Sequence, residues 1–215
     1  MNAVLYATGT WMWNNRTHGE LKWTTIETEH FNIHYHQNLD QIALQGASIA
    51  EQIRPTLMKQ MGLESLPTLD IIFTAEDEVL NGFAVPANYT IIWVDQNDAA
   101  LWTGDKKWLR TVLAHELQHL VYFNTVKGPW WLPEPMNSLA HGTPAWIVEG
   151  IAEYFTEEWR PFRYELSHRY HVLRNTVHKI QDPHNDGFSK SLYLADRFGD
   201  STIVKILNYR NKLKF

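Results

Sequence analysis

Near the middle of this 215-residue chain stands His115-Glu116-Leu117-Gln118-His119, two histidines four apart with a glutamate directly after the first. On an α-helix, positions i and i+4 lie on one face about a turn apart, so both imidazoles can point at a single divalent ion. Glu116 then sits beside the first ligand, able to reach a water on the ion without binding the ion itself. The chemistry this spacing serves is metal-assisted hydrolysis. The chain has no cysteine, which removes thiolate zinc sites, disulfides, iron–sulfur clusters and cysteine nucleophiles together, so any metal must be held by nitrogen and oxygen. The flanks Val112, Leu113, Leu120 and Val121 are apolar. Polar groups set in such a helix cost on the order of 1 to 3 kcal/mol each if left unsatisfied. An ordinary surface helix with these residues facing water is therefore the weaker reading.

Two histidines leave a tetrahedral zinc site one protein ligand short. One extended pattern would add Gly three residues and His six residues beyond His119, but those positions are Tyr122 and Thr125. The other common solution is a glutamate on a following helix. AWIVEGIAEYF supplies Glu149 and, one turn later, Glu153. Both carboxylates then share a helix face, Glu149 placed to ligate and Glu153 to accept a hydrogen bond from a ligand imidazole. The predicted site is thus Zn2+ on His115, His119 and Glu149, with Glu116 as general base.

HELQH followed by WIVEGIAEYF resembles the gluzincin metallopeptidases of the peptidase MA clan, which include thermolysin and the zinc aminopeptidases. The resemblance implies Glu149 as third zinc ligand, Glu153 as the acidic residue one turn on, and a peptide or protein substrate. TEHFNIHYH, the long helix after it and NGFAVPANYTIIWVD are similar to peptidase MA domains of bacterial proteins that also carry TolB-like propeller repeats, over roughly residues 20 to 205. No propeller follows Phe215, so the chain resembles an isolated catalytic domain or a piece of a larger protein, and an extracytoplasmic bacterial setting is implied. The gap between His119 and Glu149 is longer than in the aminopeptidases and no GxMEN-like strand is present, which argues against amino-terminal trimming. Gluzincins stabilise the developing oxyanion with a downstream Tyr or His, and here Tyr170, His171, His184 and Tyr193 are all open candidates. By the same analogy an extended substrate pairs with an edge strand above the active-site helix, and Tyr89 to Asp95 is the expected strand, the alternative being that it is a central core strand.

Two other classes of function compete. One is a peptidase-fold binding module without turnover, against which the intact Glu116 speaks. The other is zinc hydrolysis of a non-peptide amide or ester, which shares every ligand.

The elements that must position these residues follow from periodicity. Residues 1 to 27 are polar and aromatic without a clear period and read as an irregular arm. EHFNIHYH alternates, with Phe31, Ile33 and Tyr35 on one face and Asn32, His34 and His36 on the other, the pattern of a half-buried strand. Asn38 to Gly62 has helical spacing, ends at Gly62, and is expected to bend or divide at Pro55. LDIIFT is a short buried strand, and NGFAVPANYTIIWVD reads as two extended pieces joined at Pro86–Asn88. Lys106 to Phe123 is the helix that carries HELQH. Pro144 opens the next helix, and the rest is helical. Early strands and later helices give an α+β domain over 1–215, with sheet and active-site helix in 28–124 and a helical subdomain in 125–215.

The remaining signals are weaker. Nineteen Lys+Arg against 24 Asp+Glu leave a net charge of −5, no footprint for nucleic acid. A content of 44% hydrophobic and 20% charged residues suits a packed globular chain. No run approaches the roughly 18 apolar residues of a membrane span, and MNAVLYATGTWMWNNR lacks the basic start and long apolar region of an export signal. His141 is expected to face solvent rather than ligate, Glu157 and Glu158 to end their helix, and His34 and His36 to form an exposed polar face rather than a metal pair. Trp130 and Trp131 are expected to pack over the active-site helix rather than line a pocket, and Trp108 and Trp146 to pack the two ligand-bearing helices together. Asn15-Arg16-Thr17 and Asn88-Tyr89-Thr90 match the glycosylation pattern, which is too short to weigh.

Overall fold

The computed structural model describes residues 20–75, 80–94, 108–126, 131–133, 136–137, 142–156 and 164–213. Its architecture is α+β, a five-stranded mixed sheet near the N-terminus followed by helices. The strands are β1 (Trp23–Glu27), β2 (Phe31–His36), β3 (Leu69–Thr74), β4 (Leu80–Val85) and β5 (Tyr89–Val94), in the spatial order β1-β2-β3-β5-β4. Helix α1 (Asp40–Met61) crosses over between β2 and β3, which is why those two strands pair parallel. Strand β5 continues the parallel set beside β3, while β4 folds back antiparallel on β5 as the outer edge. The three residues Pro86, Ala87 and Asn88 join β4 to β5, with Asn88 in the left-handed region at φ 65° that such short loops require.

The alternation in EHFNIHYH holds. Phe31, Ile33 and Tyr35 are buried with Leu69, Ile71, Phe73, Ile92 and Val94 in a core that α1 covers with Ala43, Ala50, Ile53, Leu57 and Met61. Of the two outcomes expected at Pro55, division does not occur, and α1 continues through it as one helix. That residue is exposed, so the one helix hydrogen bond lost to its missing N–H falls on the solvent side. Gly62 ends the helix in the left-handed region at φ 67°, its N–H bonded to the Lys59 carbonyl.

Two further expectations are corrected. Residues 23–27, assigned to an irregular arm, form β1, an exposed edge strand whose Thr24, Thr25 and Glu27 give no apolar alternation to read. His36 is buried, not part of an exposed face, because its Nε2 accepts the backbone N–H of Ala75 at 3.0 Å. His34 bonds Thr25 Oγ1 at 2.9 Å and approaches Asp70 Oδ1 at 3.3 Å, so neither histidine is left for a metal pair.

Helix α2 (Trp108–Thr125) lies between α1, β4 and the later helices, and Leu113, Leu117 and Leu120 are fully buried. Helix α3 (Ala145–Thr156) packs on α2 and, most extensively, on α5 (Pro183–Phe198). Helices α4 (Glu165–Leu173) and α6 (Thr202–Leu213) flank α5. No helix among the described residues is long and apolar enough to cross a membrane.

Candidate metal centre

Three helices deliver the polar residues that meet in one cluster. Helix α2 carries His115, Glu116 and His119, all buried, in a helix whose other buried residues are mostly apolar but include Thr111, Gln118 and Thr125. Helix α3 brings Glu149 and Glu153 to face them, and α5 brings His184. The approach of α3 to α5 depends on two glycines. A Cβ on Gly150 would stand 2.6 Å from the Gly187 carbonyl oxygen, and one on Gly187 would stand 2.4 Å from the Trp146 carbonyl oxygen. Real Cβ atoms do not come that close to backbone, so the helices can touch only because both side chains are absent. Glu149 precedes Gly150 directly and His184 lies one turn before Gly187, so this crossing sets their separation.

His115 Nε2 and His119 Nε2 are 3.0 Å apart. Glu149 Oε2 lies 3.6 Å from His115 Nε2 and 3.3 Å from His119 Nε2, and His184 Nε2 lies 3.1 Å from the same oxygen. Donors about 2.05 Å from one tetrahedral ion stand about 3.3 Å from each other, and these separations bracket that value. The donor chemistry also fits. Two facing imidazole nitrogens repel each other unless a proton or a cation lies between them, and a buried carboxylate beside them needs positive charge. His115, Glu149 and His184 each offer one ligand atom within 4.8 Å of the others, a group that could hold a metal ion and that does not include His119; His119 meets it through His115 and Glu149. Behind the first imidazole, Glu153 is completely buried with Oε1 3.3 Å from His115 Nδ1. A carboxylate there holds the Nδ1–H tautomer and turns the Nε2 lone pair towards the cluster.

The electrostatics have one theme. Burial opposes ionisation of Glu149, but His119, His115 and His184 outweigh it and hold its carboxyl well below the usual carboxylate range. His184 is raised to about 9, chiefly by its hydrogen bond to Glu149 and against the effect of burial. His119 is raised too, the charge of Glu149 overcoming its burial. Glu116 behaves differently. Burial pushes it up to about 7, His119 opposes that, Glu149 adds to it, and a hydrogen bond from the Ala84 backbone lowers it.

Glu116 is seated against β4. A Cβ on Gly82 would stand 2.4 Å from Glu116 Cγ and 2.7 Å from Oε1, so a side chain at position 82 and this position of the carboxylate exclude each other. The strand chosen from sequence for substrate pairing, Tyr89 to Asp95, is corrected here. Strand β5 is paired on both sides, with β3 and with β4, and its backbone has no open edge. Among the described residues, the strand that flanks the HELQH helix with one side unpaired in the sheet is β4.

All four predicted site residues, His115, Glu116, His119 and Glu149, therefore come together. Of the four open candidates for an oxyanion donor, only His184 joins the cluster by a described contact. Tyr170 and Tyr193 are more than half exposed, and His171 is bonded to Thr176 Oγ1 at 3.0 Å. The signal for His184 was local: Asp182-Pro183 is a helix start, with Asp182 accepting from the backbone N–H groups of His184 and Asn185. Trp131 is 67% exposed, while Trp108 and Trp146 are partly buried against the core, and the Trp146 ring is covered by Lys190 Nζ at 4.8 Å from its centroid. His141, Glu157, Glu158, Trp130 and the Asn15 tripeptide lie outside the described residues. No family model matches the chain, and no curated protein matches it.

Proposed function

We propose that the protein is a zinc-dependent metallopeptidase of gluzincin type, with His115, His119 and Glu149 as the zinc ligands and Glu116 as general base. The observation that supports it best is the meeting of an HExxH helix and a glutamate from the next helix at separations of 3.0 to 3.6 Å, beside a buried carboxylate that is not part of the ligand set.

A zinc ion on two neutral imidazoles and one carboxylate supplies a Lewis acid that activates water near neutral pH and polarises a carbonyl. The chain's own groups do the rest. Glu116, held by the Ala84 N–H, takes a proton from the attacking water and returns it to the leaving amine. Its burial brings its basicity close to the working range of such a base. Glu153 fixes the His115 ring. The outer side of β4 is the edge along which an extended peptide would be held by main-chain hydrogen bonds, next to Glu116.

The test is Glu116→Gln. The variant is expected to keep about one zinc per chain while kcat on a peptide library falls by roughly 10²- to 10⁴-fold. Full zinc occupancy in the wild type with every peptide left uncut overturns the peptidase reading.

A further inference from the structure

We propose that His184 is a fourth protein ligand to the metal, through Nε2, in the resting protein, so that the centre is closed until an incoming substrate displaces that imidazole. This rests on the reading of His115, His119 and Glu149 as metal ligands and adds to it a means of keeping the site latent.

Four observations carry it. His184 Nε2 is 3.1 Å from Glu149 Oε2, as close as the separations among the other three donors and matching an edge of a tetrahedral ligand set. The His184 ring stands beside the His115 ring, 22° between planes and 5.8 Å between centroids, so the two imidazoles are neighbours in the cluster. On the far side of the ring, Asp182 Oδ1 is 3.2 Å from His184 Nδ1. With Nδ1–H directed at that carboxylate, exchange of the Nε2 proton for a metal ion would leave the Nε2 lone pair on the cluster side of the ring. A carboxylate behind a ring nitrogen is how ligand histidines are oriented at metals, and Glu153 stands in the same relation to His115. Finally, Asp182 also caps α5, so the residue that orients the ring is anchored by the helix start itself.

His184 also differs from the other ligands in a way that suits displacement. His115 and His119 lie in the interior of α2 with side chains under a tenth exposed, whereas the His184 side chain is 38% exposed in the first turn of α5. Rotation about its side-chain bonds takes it to solvent without moving a core element. A closed set of three imidazoles and one carboxylate has no open position, and hydrolysis needs one. His184 is the ligand whose departure opens it at the least cost in buried contacts.

The experiment is zinc-edge X-ray absorption on the intact 215-residue protein loaded with Zn2+, with competitive chelator titration of the same samples. The expected fine structure has three imidazoles in the wild type and two in His184→Ala, with zinc affinity lowered roughly 100-fold or more, the upper end of what losing an outer-shell partner costs. Because the wild-type count stands by itself, a variant that fails to fold does not remove the test. Two imidazoles in the zinc-loaded wild type, or a His184→Ala affinity within about threefold of wild type, overturns the fourth-ligand role and leaves the three-ligand centre standing. A wild type that takes up no zinc overturns the centre together with this role.

Discussion

Glu116 and Glu149 are carboxylates on facing helices, and their surroundings push them apart. Glu149 is surrounded by imidazoles and stays ionised, whereas Glu116 is shut in by β4 and raised to about 7. A group that ligates must remain anionic, and a group that shuttles a proton works best near the operating pH. His184 gives a pH prediction of its own. Its pKa of about 9 lies above the ordinary histidine value of roughly 6.5, so its stabilising interaction with Glu149 is fully present below the unfolded pKa and is lost as pH rises through 9. His119 is shifted in the same direction. For chelator-treated protein the thermal midpoint is therefore expected to fall between pH 6.5 and 9, and zinc should flatten that fall by taking over the stabilisation of Glu149. A midpoint that rises with pH across this window in the metal-free protein contradicts the assignment.

Two backbone approaches set the site at the scale of elements. Strand β4 reaches Glu116 through Gly82, and α3 reaches α5 through Gly150 and Gly187. Gly82→Ala is expected to retain zinc while kcat drops at least 10-fold, because the base is displaced and the ligands are not; unchanged kcat would remove the seat from the account. Gly187→Ala should cost roughly 1 to 3 kcal/mol of stability by overpacking, read as a lowered denaturation midpoint, and should move His184 away from Glu149. These approaches also explain what was and was not legible in the sequence. The spacing His115–His119 is internal to one helix and Glu149–Glu153 to another, so periodicity alone carries both pairs. Which of Tyr170 and His171 on α4, or His184 and Tyr193 on α5, reaches the cluster depends on how closely those helices approach α3, and periodicity does not encode that. Likewise β4 and β5 both read as extended pieces, and only the pairing order reveals that β4 is the edge among the described residues. Strand β1, lacking an apolar face, has no alternation to detect.

For the molecule as a whole, a cluster that gathers two buried imidazoles, the half-exposed His184 and the carboxylates of Glu116, Glu149 and Glu153 is costly unless a cation compensates. Zinc in excess over its dissociation constant by a thousandfold adds about 4 kcal/mol to folding. For a chain of this length that corresponds to roughly 10 °C in the thermal midpoint, so calorimetry before and after chelation should show a shift of that size, reversed by Zn2+. The apolar core runs from the sheet and α1 through α2 and α3, and on that buried surface the metal-free chain is expected to remain folded at room temperature. The most direct test of the centre is an anomalous-difference map from crystals of the purified protein, with data collected on both sides of the zinc absorption edge. The account predicts one peak per chain, about 2.0 to 2.2 Å from His115 Nε2, His119 Nε2 and a Glu149 carboxylate oxygen. An empty map at that position in zinc-replete crystals, or a peak held by other residues, contradicts it.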